Sequence, residues 1–372
     1  MALVLNEDEK MLQESAAGFF TDSAPVSALR ALRDDRDEIG YSKQLWADMA
    51  DMGFNGIIVP EEHGGVDMGF MAAGLVAEQM GRNLTASPFL STAILAVAAL
   101  KVHASQEQQA EYLPKIANGE MIFALASDEA SKHDPAYVNL TATPSGNGFK
   151  LNGAKTMVVD GHAADNFIVA AKTDEGVTLF VVPADASGVE TERTIMADSR
   201  NAARIDFNDV EVTGEQMLGG LNAGADVLST VLNAGRAALA AEMLGASSQV
   251  SELTVQYLQE RKQFGKIIGE FQALQHRASH LYCELELARS AVFAALTALD
   301  AGADNAGEIV SMAKAKLGSV ARLAALEAVQ MHGGMGMTDE LDIGLYLKRI
   351  RVAQELFGDS DFHAQTLIDN KG

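Results

Sequence analysis

Apolar residues recur three and four positions apart through residues 11–20, 45–52, 71–80 and 93–102, the period of helices that bury one face. Pro60-Glu61-Glu62-His63-Gly64-Gly65 and Asn83-Leu84-Thr85-Ala86-Ser87-Pro88 separate these stretches with residues that stop helices and turn the chain. From about residue 120 to 213 the texture changes. Short runs rich in β-branched and aromatic residues, at 167–171, 177–182, 204–208 and 210–212, are punctuated by Gly, Asn, Asp and Pro with no helical stretch between them. Strands at that spacing predict an antiparallel sheet or barrel. Beyond Gly224 the helical period returns over 225–259, 271–300, 307–331 and 342–368, enough helices for an antiparallel bundle. These long helices are apolar over more than one face, so the bundle is also expected to form the main oligomer contact. The chain therefore reads as an α+β multidomain protein, with a helical domain over 1–118, an antiparallel β domain over 119–213 and a four-helix bundle over 214–372.

Composition narrows the function. A chain of 372 residues exceeds what one hydrophobic core usually serves, and 48% apolar residues supply more than one. The formal charge of −23 opposes general attraction to nucleic acid or anionic lipid, so a polyanionic ligand must be met by local cations. The acidic start lacks the basic and apolar segments of a secretory signal. The longest apolar run, 93–100, is far below the roughly 20 residues of a membrane span. A cytoplasmic location is expected. Lone Cys283 excludes an internal disulfide and a multi-cysteine metal site, and its helical setting predicts a packing role.

Two motifs close long helical stretches: Glu260-Arg261-Lys262-Gln263-Phe264-Gly265 and Gln330-Met331-His332-Gly333-Gly334-Met335-Gly336. A pyrophosphate held by so acidic a protein needs a guanidinium, whose planar fork gives two charge-assisted hydrogen bonds at once. Arg261 is the candidate; a solvated cation favoured by the helix dipole is the ordinary alternative. The glycine pair allows left-handed caps and bares N–H groups to an anion, although a simple helix stop uses the same residues. His332 reads as a packing or capping residue.

With these motifs in an α, β, α order, the chain resembles the acyl-CoA dehydrogenase family over essentially its whole length. The segments 53–65, Gly-Phe-Asn-Gly-Ile-Ile-Val-Pro-Glu-Glu-His-Gly-Gly, and 109–119, Gln-Ala-Glu-Tyr-Leu-Pro-Lys-Ile-Ala-Asn-Gly, resemble the family's helix-to-helix turn and its approach to the middle domain. Its length, the Gly336-Met337-Thr338-Asp339-Glu340 tail and Leu356-Phe357-Gly358-Asp359 are most similar to small subunits of two-subunit bacterial enzymes of the pimeloyl-CoA or steroid side-chain type. The resemblance implies an FAD-dependent oxidoreductase that desaturates an acyl-CoA thioester at its α,β bond, in fatty acid or steroid catabolism, and passes electrons to an electron-transferring flavoprotein. It also implies that Arg261, Phe264, Gln272, Gln330, Gly333 and Gly334 serve the ADP half of a flavin bound mainly by a neighbouring subunit.

Departures from the family pattern fall elsewhere. The family's Thr-Glu-Pro and Trp-Ile-Thr or Trp-Ile-Ser segments, which hold and cover the flavin ring, align with Ala126-Ser127-Asp128 and Met157-Val158-Val159. Hydroxyl donors and the indole are absent there; methionine offers dispersion but no strong hydrogen bond. Either this subunit's own ring site is lost, or main-chain N–H groups still hold the ring. The catalytic carboxylate of the family stands before the glycine that here is Gly358, or before the arginine that here is Arg236; Phe357 and Gly235 occupy those positions. Glu242, Glu355 and Asp359 are the nearby carboxylates, each with an ordinary structural use. Two functions follow: a cofactor-lending subunit of a heterotetramer whose homologous partner supplies the base, or a self-sufficient homo-oligomeric flavoenzyme in which another carboxylate has taken over.

Overall fold

The computed structural model describes residues 4–370, so the first three residues of the acidic start and the last two of the chain lie outside it. Helix α1 (Glu7–Ser23) opens on a reciprocal cap in which the Asn6 side chain accepts from Glu9 N and the Glu9 carboxylate accepts from Asn6 N, satisfying two otherwise orphaned donors. It is followed by α2 (Val26–Asp34), α3 (Lys43–Asp51) and α4 (Gly69–Asn83). A π-helical stretch, Phe89–Ala96, then runs into α5 (Val97–His103), and α6 (Gln106–Ala117) closes the region. Helices α2 and α6 lie outside the four stretches that periodicity marks.

Eight strands come next: β1 (Phe123–Ala126), β2 (Thr141–Ser145), β3 (Gly148–Val159), β4 (Asn166–Lys172), β5 (Val177–Pro183), β6 (Val189–Ile195), β7 (Asn201–Thr213) and β8 (Met217–Leu218). They form one sheet in the order β6-β7-β3-β2-β4-β5-β8, with β1 beside β4. The sheet is mainly antiparallel, but β1 and β2 both run parallel to β4, so it is mixed rather than wholly antiparallel. The physical reason is connection length: parallel neighbours need a crossover, and the excursion through residues 127–140 and β3 supplies it. Phe167, Phe180, Ile205, Phe207 and Val210 sit at the centre of its core.

The remaining elements are α7 (Gly224–Glu260), a hairpin of β9 (Lys262–Gln263) and β10 (Lys266–Ile267), α8 (Gln272–Asp300), α9 (Ala306–His332), α10 (Ile343–Glu355) and α11 (Ser360–Asp369). The expected last helix, 342–368, is thus two helices. Phe357 at φ +58° and Gly358 at φ +103° break it, a backbone that no helix accommodates.

By its internal contacts the chain divides into two compact units. One contains the sheet and runs over Leu32–Gly69 and Ala86–Gly235; the other contains the residues up to Ala31, Phe70–Thr85 and those from Arg236 onward. Within the helical unit, α4 and α7 cross at glycines. A Cβ on Gly81 would lie 2.0 Å from the Glu242 carbonyl oxygen, and one on Gly245 would lie 1.8 Å from that of Glu78. Side-chain-free surfaces on both helices let the backbones touch, and every residue from 234 to 248 of α7 is buried. Helix α9 packs against α8, α10 and α11.

Candidate active site

Arg261 follows the last residue of α7 and begins a clasp: its N–H donates to the Tyr257 carbonyl at 2.9 Å, and its own carbonyl accepts from Ile268 N at 2.8 Å. Between these bonds β9 and β10 form a tight hairpin whose central residues, Phe264 and Gly265, have φ +53° and +80°. That turn wants left-handed residues, which suits glycine and strains phenylalanine. Phe264 is nevertheless 90% exposed. Neither burial nor turn preference accounts for an aromatic there. Phe271 meets Phe264 edge-on, the Lys266 ammonium lies 4.3 Å from the Phe271 ring centroid, and Gln272 is the exposed first residue of α8.

The second motif lies against the first. Met331 is buried with Leu258 and Ile268, and the His332 ring stacks on Tyr257 at 4.3 Å. His332 Nδ1 donates to the Ala328 carbonyl at 2.8 Å, and burial lowers its pKa despite that bond; its role is packing, as its sequence setting implies. Gln330, Gly333 and Gly334 are exposed at this end of α9. The expected left-handed cap is not formed: Gly333 has φ +59° with ψ −136°, a nearly extended mirror conformation open almost only to glycine. At Gly334 φ is not positive and an added Cβ would meet nothing within 4 Å. The chain itself has no use for the missing side chain at Gly334, whereas close approach by a ligand would. Arg261 makes no ion pair among the described residues and is exposed. Cys283, expected to pack, is exposed on α8, because the helix presents to solvent a face that its period left undecided.

The break at Phe357 is held from inside. Buried Arg236 donates through Nε to the Phe357 carbonyl at 2.9 Å, and His363 Nε2 donates to the same oxygen at 3.1 Å. Lys314, fully buried, donates to the carbonyls of Ala353, Gln354 and Gly358 at 3.1, 3.0 and 2.9 Å. Burial, reinforced by the Arg236 charge, pushes its ammonium down to about 7 against the pull of Glu355 and Asp359. The loop carbonyls absorb these donors, and the Phe357 side chain is buried. Sequence reasoning passed over Lys314 and His363; a lysine inside an otherwise apolar stretch of α9 was the available signal. Nearby carboxylates are all employed. Glu242 is buried in a two-pronged pair with Arg349, at 2.8 and 2.7 Å. Glu355 pairs with Arg351 at 2.6 Å, and Asp359 caps α11 by accepting from Phe362 N at 2.8 Å.

In the sheet-containing unit, the two segments aligned with flavin-ring contacts come together. Thr156 N donates to the Asp128 carbonyl at 2.8 Å, and β3 breaks register against β7 between Lys155 and Val158. Met157 sits at that bulge with φ +53° and half its surface exposed. Beneath it, buried Lys155 donates to the Ser127 carbonyl at 3.1 Å and to Glu129 at 2.7 Å. Glu129 also accepts from the N–H groups of Asn139 and Leu140, while Asp128 holds His133 at 2.9 Å. The fold of the loop survives; its side chains face one another. One polar atom is left over, the buried Thr156 hydroxyl, which has no partner.

Family profiles match nearly all of the chain: acyl-CoA dehydrogenase N-terminal domain over residues 6–120, middle domain over 123–210 and C-terminal domain over 222–371. The chain belongs to the acyl-CoA dehydrogenase family. It is 30% identical to mitochondrial isovaleryl-CoA dehydrogenase of Pongo abelii, over 96% of this chain and 87% of that one. Among solved structures, a variant of the Tcur3481-Tcur3483 steroid ACAD aligns with TM-score 0.90 and 31% identity over 98% of this chain and 97% of that one. The FAD complex of PigA aligns with TM-score 0.91 and 26% identity over 100% and 99%. Acyl-CoA dehydrogenases are FAD-dependent oxidoreductases, and FAD is the cofactor here. The α7–β9 and α9 ends fit a flavin dinucleotide: an unpaired guanidinium, a projecting aromatic and an unobstructed glycine pair. On the ring side, the Thr156 hydroxyl is buried within the chain and Met157 stands half-exposed at the bulge. No helix of the described residues is long and apolar enough to cross a membrane.

Proposed function

We propose that this chain is the cofactor-lending subunit of a heteromeric acyl-CoA dehydrogenase, working in the cytoplasm on a fatty acyl- or steroid-derived acyl-CoA, with an electron-transferring flavoprotein as acceptor. In it, Arg261 neutralises the pyrophosphate of FAD bound mainly by a homologous partner chain. Phe264 and Gln272 flank the dinucleotide, and Gln330, Gly333 and Gly334 offer an unobstructed main chain to its ADP half. When bound, FAD supplies the acceptor for the hydride that leaves the thioester β-carbon. The accompanying α-proton needs a positioned carboxylate, and the partner chain provides it.

One observation supports this above the rest. At Phe357, where the family's resemblance puts a base, there is a buried side chain that cannot ionise, on a loop clamped by Arg236, Lys314 and His363. Glu242, a candidate substitute in the sequence, is buried and held through both oxygens by Arg349, a pair that stabilises the ionised carboxylate and so lowers its basicity toward a substrate proton. The two-name steroid ACAD among the aligned structures suits a heteromer.

Expression of the chain with and without the homologue encoded beside it, followed by mass measurement and a visible spectrum, tests this. A mixed complex with fewer flavins than chains is expected, and acyl-CoA turnover only from that complex. If the chain alone carries flavin and dehydrogenates an acyl-CoA thioester, the self-sufficient enzyme is the correct description. Glu242→Gln within the complex should leave turnover per bound flavin within a few-fold, far from the 10²–10⁴-fold of a general base.

A further inference from the structure

In the sheet-containing unit, apart from the flavin-ring segments, a cleft of ≈370 Å³ lies between the segment after α2, the start of α3, residues 119–122 and the turn after β3. It adjoins a second cleft of ≈590 Å³, with which it shares His162 and Asp165. Polar groups in its wall are left unsatisfied by the chain. Tyr41 is only 7% exposed, yet its hydroxyl has no hydrogen-bond partner among the described residues. His162 Nε2 donates to the Ile39 carbonyl at 2.6 Å, which fixes the tautomer and leaves the lone pair on Nδ1; that atom is buried and unpartnered. Burial lowers the pKa of this ring more than its bond to Ile39 raises it, so Nδ1 is an acceptor at neutral pH.

The rest of the lining also accepts. Glu38 and Glu120 form no ion pair among the described residues, and Asp165 uses one oxygen, accepting from Ile122 N at 2.7 Å. The Trp46 indole N–H is taken by the Gly119 carbonyl at 3.1 Å, which leaves the indole as apolar wall. Of the cations nearby, Arg193 is committed to the carbonyls of Asp37 and Glu38 and to the Asn201 side chain, and Lys43 is exposed at the start of α3. Burial first, with the charges of Asp160 and Asp165 adding to it, pushes the Tyr41 hydroxyl up to about 12. No group of His, Cys, Asp and Glu among the described residues is placed to hold a metal ion. An excess of acceptors and of negative charge, without metal geometry, calls for a ligand that brings several N–H donors on an apolar stem.

We propose that this cleft binds an aliphatic polyammonium ion, whose ammonium groups donate to the Tyr41 oxygen and to the Glu38, Glu120 and Asp165 carboxylates while its methylenes lie against Tyr41 and Trp46. The adjoining cleft, with Asp185 in its wall, gives a long ligand room to continue. Calorimetric titration of the full chain as purified with spermidine, in 0.15 M KCl, tests it. One saturable site is expected, at least fivefold weaker in Tyr41→Phe, which removes only the hydroxyl, and at least threefold weaker in Glu120→Gln, an exposed position that folding does not depend on. Magnesium at matched ionic strength should not displace spermidine. A chain this acidic also gathers polycations diffusely; heat that never saturates, or a saturable site indifferent to both substitutions or emptied by magnesium, overturns the proposal. Should Tyr41→Phe fold poorly, Glu120→Gln alone decides.

Discussion

Lys314, buried inside the helical unit, spends its ammonium hydrogens on three main-chain carbonyls. Its folded pKa of about 7 lies below the ordinary 10.5, so between those values the folded chain binds fewer protons than the unfolded one. Stability then rises with pH across that window, by up to about 1.4 kcal/mol per pH unit, and the full penalty of burying the charge is felt below pH 7. Lys314→Met removes this slope together with the three hydrogen bonds. Urea unfolding of both proteins at pH 6.5 to 9 should give a weaker rise with pH in the variant; parallel curves would mean that the carbonyls keep the lysine protonated. Glu242 is a second polar residue whose use only its packing shows. Two turns beyond Gly235 it could face a substrate, but Arg349 reaches it from α10. Glu242→Gln should cost about 3–5 kcal/mol by removing the charge that balances a buried guanidinium, measured as a lower unfolding midpoint, and Glu242→Gln with Arg349→Met should recover part of it.

At the scale of elements, glycines do three separate things in this chain. Where α4 crosses α7, Gly245 lets backbone touch backbone, and Gly245→Ala must push the helices apart at the Glu78 carbonyl. A loss of roughly 1–3 kcal/mol is expected from such overpacking. Gly333 answers to backbone conformation, and Gly333→Ala should cost about 1–3 kcal/mol through strain at its positive φ. Gly334 answers to neither, so Gly334→Ala should leave the melting curve unchanged and weaken flavin retention in the assembled complex. If Gly334→Ala holds flavin as well as the parent, the α9 end is only a helix stop. Most helices were legible because their apolar period runs for many turns; the break at Phe357 was not, since Leu356, Phe357 and the apolar residues around them continue that period through it.

For the whole molecule, the ligand that an acidic chain must capture is itself anionic, and the proposed function assigns Arg261 a large share of its recognition. Arg261→Ala removes a charge-assisted partner of the pyrophosphate worth roughly 1.5–3 kcal/mol, which predicts about ten- to hundredfold weaker flavin binding by the complex. Fold and assembly should survive, because the guanidinium is exposed and unpaired in this chain. Flavin titration and sedimentation of the same preparation separate the two effects; unchanged affinity would remove the phosphate role from Arg261.

The sequence alone determined the family and the α, β, α order, since each rests on a local pattern, and it singled out the residues proposed to meet FAD by a guanidinium next to an aromatic and a glycine. Tertiary structure decided which carboxylates and amines are spoken for. Glu242 and Arg349 are 107 residues apart, Lys314 and Gly358 are 44 apart, and His162 meets Ile39 across 123. Such pairings depend on how elements pack. The same packing leaves the Tyr41 hydroxyl, in the wall of a cleft, and the buried His162 Nδ1 without partners among the described residues, because whether a polar atom finds a partner is settled by its neighbours in space and not by those along the chain.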